Sequence, residues 1–322
     1  MGACAERYHG LMHAPTSPIR TTIRLAGARH VIRLTERAAR LRLTSMKSRE
    51  EGDPSGYLHG YSVDERERLR RQAHFLEPMV HDRLPFRRRR RLLEVGAGVG
   101  AQTEILLRHF PDIHVTGIEV NDDQIAEARR FLATVLWAQG RYDIVKMNAT
   151  RLEFEPETFD AAFLCWVLEH VSDPARVLGE VRRVLSAGAP IVCNEVLNAT
   201  FFLDPYSPNT LRYWMAFNDH QLSIGGDPFV GAKLGNLLQS VGFRDIQTDV
   251  RTFHLDNRAP AERAEFLAFW AELLRSGAPG LLEAKAVSEE LVDGMTAELE
   301  RVARDPNAVF FYSFIQARAR AW

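Results

Sequence analysis

Between residues 91 and 196 short apolar runs alternate with segments of helical period. The apolar runs are Leu92–Val95, Ile113–Ile118, Tyr142–Met147, Phe159–Trp166 and Ala189–Val196, several of them rich in β-branched residues. Their length and composition predict buried strands. Glu104–Leu107 continues as a helix that stops near Phe110-Pro111, and Asn121 to Gln124 caps a helix through Phe131. Ser172-Asp173-Pro174 opens a helix through Leu185, because proline is well suited to the first helical turn. Strand and helix in strict alternation predict a doubly wound, mostly parallel sheet with helices on both faces.

Outside this block the pattern changes. Upstream, Ser62 followed by Glu65 forms a capping box for a helix through Leu69, Ala73, Leu76 and Met79. Downstream, 198–208 reads as a loop, followed by a helix carrying Tyr213, Trp214 and Phe217. A further helix spans Val230 to Val241 and ends at Gly242. Thr248–Leu255 and Ala308–Ile315 read as two antiparallel closing strands, which brings the expected sheet to seven. Two helices lie between them, in 259–304. The expected organisation is a basic, disordered extension over 1–50, an N-terminal helical lid over 51–90 and a Rossmann-like domain over 91–322. Cap insertions are expected at about 197–228 and 259–304.

Composition narrows this only slightly. The chain has 322 residues, 46% hydrophobic and 26% charged, as expected of a globular protein. A formal net charge of -1 gives no global argument for nucleic acid or membrane binding. Cys4, Cys165 and Cys193 have no metal-ligand spacing and point to a reducing, cytoplasmic location. No apolar run approaches the ~20 residues that span a bilayer. Arg20, Arg24, Arg29, Arg33, Arg37, Arg40 and Arg42 make the first 50 residues basic. That stretch reads as an extension upstream of a start at Met46, as a basic arm, or as a transit peptide. Arg87 to Arg91 read as a solvated edge.

The chemistry gathers where the first strand ends. Gly96, Gly98 and Gly100 follow Leu93-Glu94-Val95, so a tight turn brings backbone close to a ligand at the opening of a helix. Gly96, Gly98 and Ala101 also satisfy the dinucleotide fingerprint. Glu94 argues against a pyrophosphate there and suits a cationic amino-acid head group. Glu119 closes the second strand, where a carboxylate can accept two adjacent sugar hydroxyls. Asn148 closes the third, within reach of an adenine edge.

Leu93–Gly100, Val115–Glu119, Asn148-Ala149, Phe159-Asp160, Val167–Val171, Glu180–Leu185 and Ile191-Val192 agree in order and spacing with one family. Over residues 90 to 200 the chain resembles class I S-adenosylmethionine-dependent methyltransferases. The resemblance implies S-adenosylmethionine as cofactor, with its methionine part on the glycine turn, its ribose on Glu119 and its adenine near Asn148. The family usually has Asp at that last position. The set expected around the cofactor is Tyr57, Tyr61, Glu94, Gly96, Ala97, Gly98, Glu119, Val120, Gln124, Asn148, Ala149, Cys165 and Trp166. In the family an insertion after the fifth strand covers the substrate, and the aromatic residues of 201–217 suggest an enclosed pocket here.

Methyl transfer from a sulfonium relies chiefly on positioning, and a base is needed only where the acceptor must lose a proton. His170, Glu195, Asp204, Tyr206, Asp219 and His220 are the candidates. No His/Asp cluster has metal spacing, so no metal is expected. The expected activity is methylation of a small molecule, in secondary metabolism. Neither nucleic acid nor membrane is expected as a partner, and a homodimer is left open. Two alternatives stand beside it. One is cyclisation of the cofactor's aminobutyrate arm, as in azetidine-2-carboxylate synthases, releasing methylthioadenosine. The other is a non-catalytic module that binds the cofactor.

Overall fold

The computed structural model describes residues 63–322. The 1–50 extension, Tyr57, Tyr61 and the Ser62 cap lie outside the described residues. Five parallel strands form the expected core: β1 (Arg91–Val95), β2 (His114–Glu119), β3 (Tyr142–Lys146), β4 (Ala161–Cys165) and β5 (Pro190–Val196). Their spatial order is β3-β2-β1-β4-β5, so the winding reverses between β1 and β4. A crevice opens at the carboxyl ends of the strands at such a reversal, and ligands bind there.

Burial on both faces explains why these runs lack polar alternation. The helices that cover them are α1 (Val63–Val80), α2 (Ala101–His109), α3 (Asp122–Ala133) and α4 (Pro174–Val184). On one face Leu93, Val95, Ala162, Leu164 and Ile191 pack with Val177, Leu178, Val181 and Val184 of α4. On the other, Leu92, Phe163 and Val192 pack with Leu76 and Val80 of α1 and Leu106 and Leu107 of α2. The expected caps form: Asn121 accepts from Gln124 N at 3.0 Å and Asp173 from Arg176 N at 2.9 Å. Helix α1 is tied to α3 through Glu127, which takes Arg70 at 2.5 Å and also pairs with Arg66 and Arg130.

The sheet has eight strands, not seven. The additional one is β6 (Phe202–Asp204), inside the stretch read as a loop. Its cause is tertiary. β7 (Arg244–Leu255) and β8 (Val309–Arg320) are antiparallel twelve-residue strands, and β7 pairs with β8 along nearly all its length. β5 covers only Phe314–Arg320 on the opposite edge of β8, and β6 pairs with the Val309–Phe311 that remains. Thus β5 and β6 share one edge, and the eight strands occupy seven lateral positions.

The remaining helices are α5 (Pro208–Ser223), α6 (Leu234–Ser240), α7 (Pro260–Glu283) and α8 (Glu289–Arg304). The helix expected from Val230 starts as a 3-10 turn, Val230–Lys233, before α6; Gly242, with φ 91°, stops it as expected. The aromatic residues expected to wall a pocket are core instead. Tyr213, Trp214 and Phe217 of α5 are buried, with Trp214 and Phe217 stacked at 5.4 Å, and Phe201 stacks on Trp270 of α7 at 5.3 Å. Among the described residues no helix is long and apolar enough to cross a membrane.

The first turn of α5 has no cap from its own chain neighbour Ser207. Glu298 of α8 supplies it: its carboxylate accepts from Asn209 N at 3.1 Å and Thr210 N at 2.8 Å, and from both side chains at 3.0 Å. Replacing Glu298 with Ala strands these buried donors, and an unfolding free energy lower by about 2–3 kcal/mol is expected. Urea denaturation of the two proteins checks this.

Candidate functional site

The glycine turn sits on the winding reversal. Gly96, Gly98 and Gly100 all have positive φ, at 71°, 52° and 78°. Gly96 N and Ala97 N both donate to Ile118 O at 2.9 Å, which fastens the turn to β2. A Cβ on Gly96 would stand 2.6 Å from Val167 Cγ2, so this glycine is required by packing. A Cβ on Gly98 would meet nothing within 4 Å. Gly98 is therefore where a ligand can come onto bare backbone. Gly100 gives α2 no side-chain cap, which leaves the helix N-terminus to other acceptors.

Two carboxylates flank this turn. Glu94 is 2% exposed; Thr103 Oγ1 donates to its Oε2 at 2.5 Å, and its Oε1 has no protein partner. Burial pushes the Glu94 carboxyl up to about 8; the Thr103 bond opposes this, and the neighbouring Glu119 charge adds to it. Glu119 Oε2 accepts from Gly98 N at 3.1 Å, and Oε1 accepts from Val120 N at 2.8 Å and Asn121 N at 3.0 Å. A carboxylate offers about four acceptor positions. Three are taken, so one sugar hydroxyl could be received on Oε2 directly, and a second by exchange with a backbone donor.

These residues fit a cationic nucleoside carrying an amino-acid arm. A buried orphan carboxylate oxygen calls for a positive partner, the open Gly98 surface admits one, and the anchored Glu119 lies beside it. Gln124, 4% exposed, also has an unpartnered Oε1. Asn148 is exposed, and its Oδ1 accepts from Thr150 N and Oγ1 at 2.9 and 2.8 Å, so only its amide group remains for a ligand. Ala149 and Cys165 are half-buried; burial, aided by nearby carboxylates, pushes the Cys165 thiol up. Trp166 has φ 55°, left-handed backbone uncommon in a bulky residue, and lies edge-on to Phe314 at 5.9 Å.

The nominated bases scatter. His170 is partly buried in the 3-10 turn after β4, with Nε2 3.6 Å from Glu169 Oε1. Asp204 and Asp219 are exposed, Tyr206 is 71% exposed and His220 is half-buried on α5. Of the polar groups buried beside that turn, sequence reasoning nominated Glu195 and passed over Gln221, Asn198, Asn218 and Tyr312. Gln221 Nε2 donates to Glu169 Oε2 at 3.0 Å; Asn198 Nδ2 donates to Asn218 Oδ1 at 2.8 Å, and Tyr312 Oη to Asn198 Oδ1 at 2.9 Å. Glu195, wholly buried, accepts from Val167 N and Leu168 N. A cavity of about 440 Å³ lies elsewhere, between α1, the end of β7 and the start of α7, and holds none of the expected site residues. Among the described residues no group of His, Cys, Asp and Glu could hold a metal.

The fold and the two acids at the reversal define an α/β protein built to hold a cationic nucleoside. A methyltransferase domain model matches residues 93–193. The chain is 30% identical over 205 residues to O-methyltransferase rstn1 of Aspergillus nomiae, covering 61% of this chain and 85% of that one. It is 29% identical over 164 residues to O-methyltransferase resE of Aspergillus sclerotiorum, covering 50% and 57%. A chain of the complex between the Haloferax volcanii Trm112 methyltransferase activator and a methyltransferase superposes with a TM-score of 0.52, at 13% identity, covering 80% and 94%. The chain belongs to the class I S-adenosylmethionine-dependent methyltransferases, and S-adenosyl-L-methionine is its cofactor.

The raised Glu94 carboxyl has a thermodynamic sign. A folded-state value above the unfolded one means that the group is protonated in both states below 4.5, and that stability falls as pH rises toward about 8. His81, lowered from 6.5 to about 4 by burial, acts below 6.5 and leaves the window from 6.5 to about 8 to Glu94 and to Glu195, which burial also raises to about 8. Glu94→Gln is expected to reduce the loss of stability across that window by about half, the remainder being that of Glu195. The check is the urea midpoint of both proteins as a function of pH, without cofactor.

Proposed function

We propose that this methyltransferase acts on a small molecule, at an acceptor oxygen, as part of secondary metabolism. The single observation that carries the cofactor half is the orphan, buried Oε1 of Glu94 beneath the open backbone of Gly98. Glu94 would hold the positively charged amino-acid arm, Gly96 to Gly98 its flank, and Glu119 the ribose. Asn148 and Ala149 would border the adenine. When bound, the cofactor supplies an electrophilic methyl group on a sulfonium. The protein's part is then to aim an oxygen at it in line and to exclude water. The acceptor reading draws on the two fungal relatives named O-methyltransferases.

Among the nominated bases we assign proton removal to His170. It is partly buried at the mouth of β4, and Glu169 lies beside its ring. Asp204, Tyr206 and Asp219 are solvent-exposed and carry no such role in this reading. The helical lid and the two cap insertions complete the acceptor side. The partner is a small molecule, with neither nucleic acid nor membrane, and the location is cytoplasmic.

The reading is tested by incubating the purified protein with S-adenosylmethionine, alone and with phenolic and enolic acceptors, and identifying products by mass. S-adenosylhomocysteine formed only with an acceptor supports it. Methylthioadenosine formed from the cofactor alone would replace it with cyclisation. Glu119→Ala is expected to weaken calorimetric S-adenosylhomocysteine affinity by about tenfold to a hundredfold, the worth of one or two charge-assisted hydrogen bonds, with the fold kept. Unchanged affinity would remove the ribose assignment. His170→Asn is expected to lower kcat by about 10²-fold or more while the KM for the cofactor stays put.

A further inference from the structure

The buried acid at the end of β5 is not used by the reaction as described. Glu195 Oε1 accepts from Val167 N at 3.1 Å and Leu168 N at 2.9 Å, while Oε2 has no protein partner. Those two amides begin the loop that leaves β4. The same loop touches both halves of the site. Val167 Cγ2 lies against Gly96 so closely that a Cβ there would stand 2.6 Å away. At its other end, Glu169 O accepts from Asp227 N at 2.8 Å and from Gln221 Nε2 at 3.3 Å. A Cβ on Gly226 would stand 2.6 Å from that same oxygen. The backbone just before the two amides is strained, with Trp166 at φ 55° and its N–H bound to Asn194 O at 2.9 Å.

We propose that Glu195 is a positioning residue, whose carboxyl straps the post-β4 loop between the glycine turn and the chain that follows α5. The strap fixes the wall of the cofactor turn and the place of His170 in one stroke. It touches neither cofactor nor acceptor. Strained backbone persists only where its surroundings over-determine it, and the two hydrogen bonds from Glu195 supply that constraint. Burial holds the Glu195 carboxyl up to about 8, with the neighbouring Glu169 adding to the effect. At neutral pH it is chiefly the uncharged acid, of which glutamine is a close copy. The inference rests on the methyltransferase reading, because it names what the strap serves.

Reach, not charge, is therefore the property to test. Glu195→Gln keeps an acceptor oxygen at the same distance. Glu195→Asp keeps the carboxyl but withdraws it by one methylene. Calorimetry with S-adenosylhomocysteine on the full chain is expected to give Gln an affinity near wild type and Asp one weaker by about tenfold, the worth of a lost buried hydrogen bond. Hydrogen exchange at the Val167 and Leu168 amides should stay slow in Gln and quicken in Asp. Val167→Ala, which leaves the strap but removes its contact with Gly96, should weaken affinity with those amides still protected. Asp behaving like wild type, or Gln as impaired as Asp, overturns the proposal. Exchange alone decides it if either variant is too unstable for calorimetry. Failure of the wild-type protein to bind S-adenosylhomocysteine would sink the methyltransferase reading instead, which the first titration shows.

Discussion

The structure turns on a carboxyl group sealed into the end of β1 without a cation to meet it. Glu94 accepts from Thr103 on one oxygen, its other oxygen is buried without a protein partner, and a second acid, Glu119, lies across the same turn. Burial alone makes a charge on Glu94 costly, the charge on Glu119 adds to that cost, and the protein on its own relieves it by keeping Glu94 protonated. A nucleotide bearing a pyrophosphate would add two negative charges to that crevice. A sulfonium nucleoside with an ammonium group brings positive ones. The electrostatics thus separate two ligand classes that the glycine spacing alone leaves mixed, since Gly96, Gly98 and Ala101 satisfy either pattern.

What could be read from the sequence follows from how far apart the causes of a feature lie. The parallel core was legible because each strand is a short run buried on both faces, and each helix begins with its own cap, as Asn121 and Asp173 do. The two acids flanking the turn were legible as positions because Glu94 and Glu119 each stand at or next to the end of a strand, although Glu119 is 21 residues from Gly98. β6 was not. Its three residues are a strand only because β8 overhangs β5, and the extent of β8 is fixed by β7, more than fifty residues before it in the chain.

The acceptor side shows the same divide more sharply. Asp219 and His220 were singled out by residue type, but a helix is read by period. Tyr213, Trp214 and Phe217 define the inward face of α5, and the 3.6-residue repeat carries that face on to Asn218 and Gln221. Asp219 falls on the outside. The periodicity was present in the sequence, and it would have replaced an exposed acid with two buried amides. No pattern in the sequence, by contrast, announces that Phe201 would stack on Trp270, because that depends on where α7 is laid across β8.

This asymmetry bears on what the fold can change without loss. The glycine crevice is tied by shorter separations, nine residues from Thr103 to Glu94 and 21 from Gly98 to Glu119, with Val167 packed against Gly96. The second half, the polar cluster beside the post-β4 loop, is assembled from β5, that loop, α5 and β8, with Asn198 and Tyr312 more than a hundred residues apart. Changes in the aromatic packing of α5 and α7 would shift that second half as a unit, since Tyr213 bonds the backbone of α7 at 2.5 Å and Glu298 of α8 caps α5. The glycine turn would feel such a shift through the loop after β4 and through α1, whose Phe75 meets α7 and whose Ala73 packs with Val99. A protein so arranged can be refitted to a new acceptor by repacking its helices, while the two acids and three glycines of the cofactor crevice stay as they are.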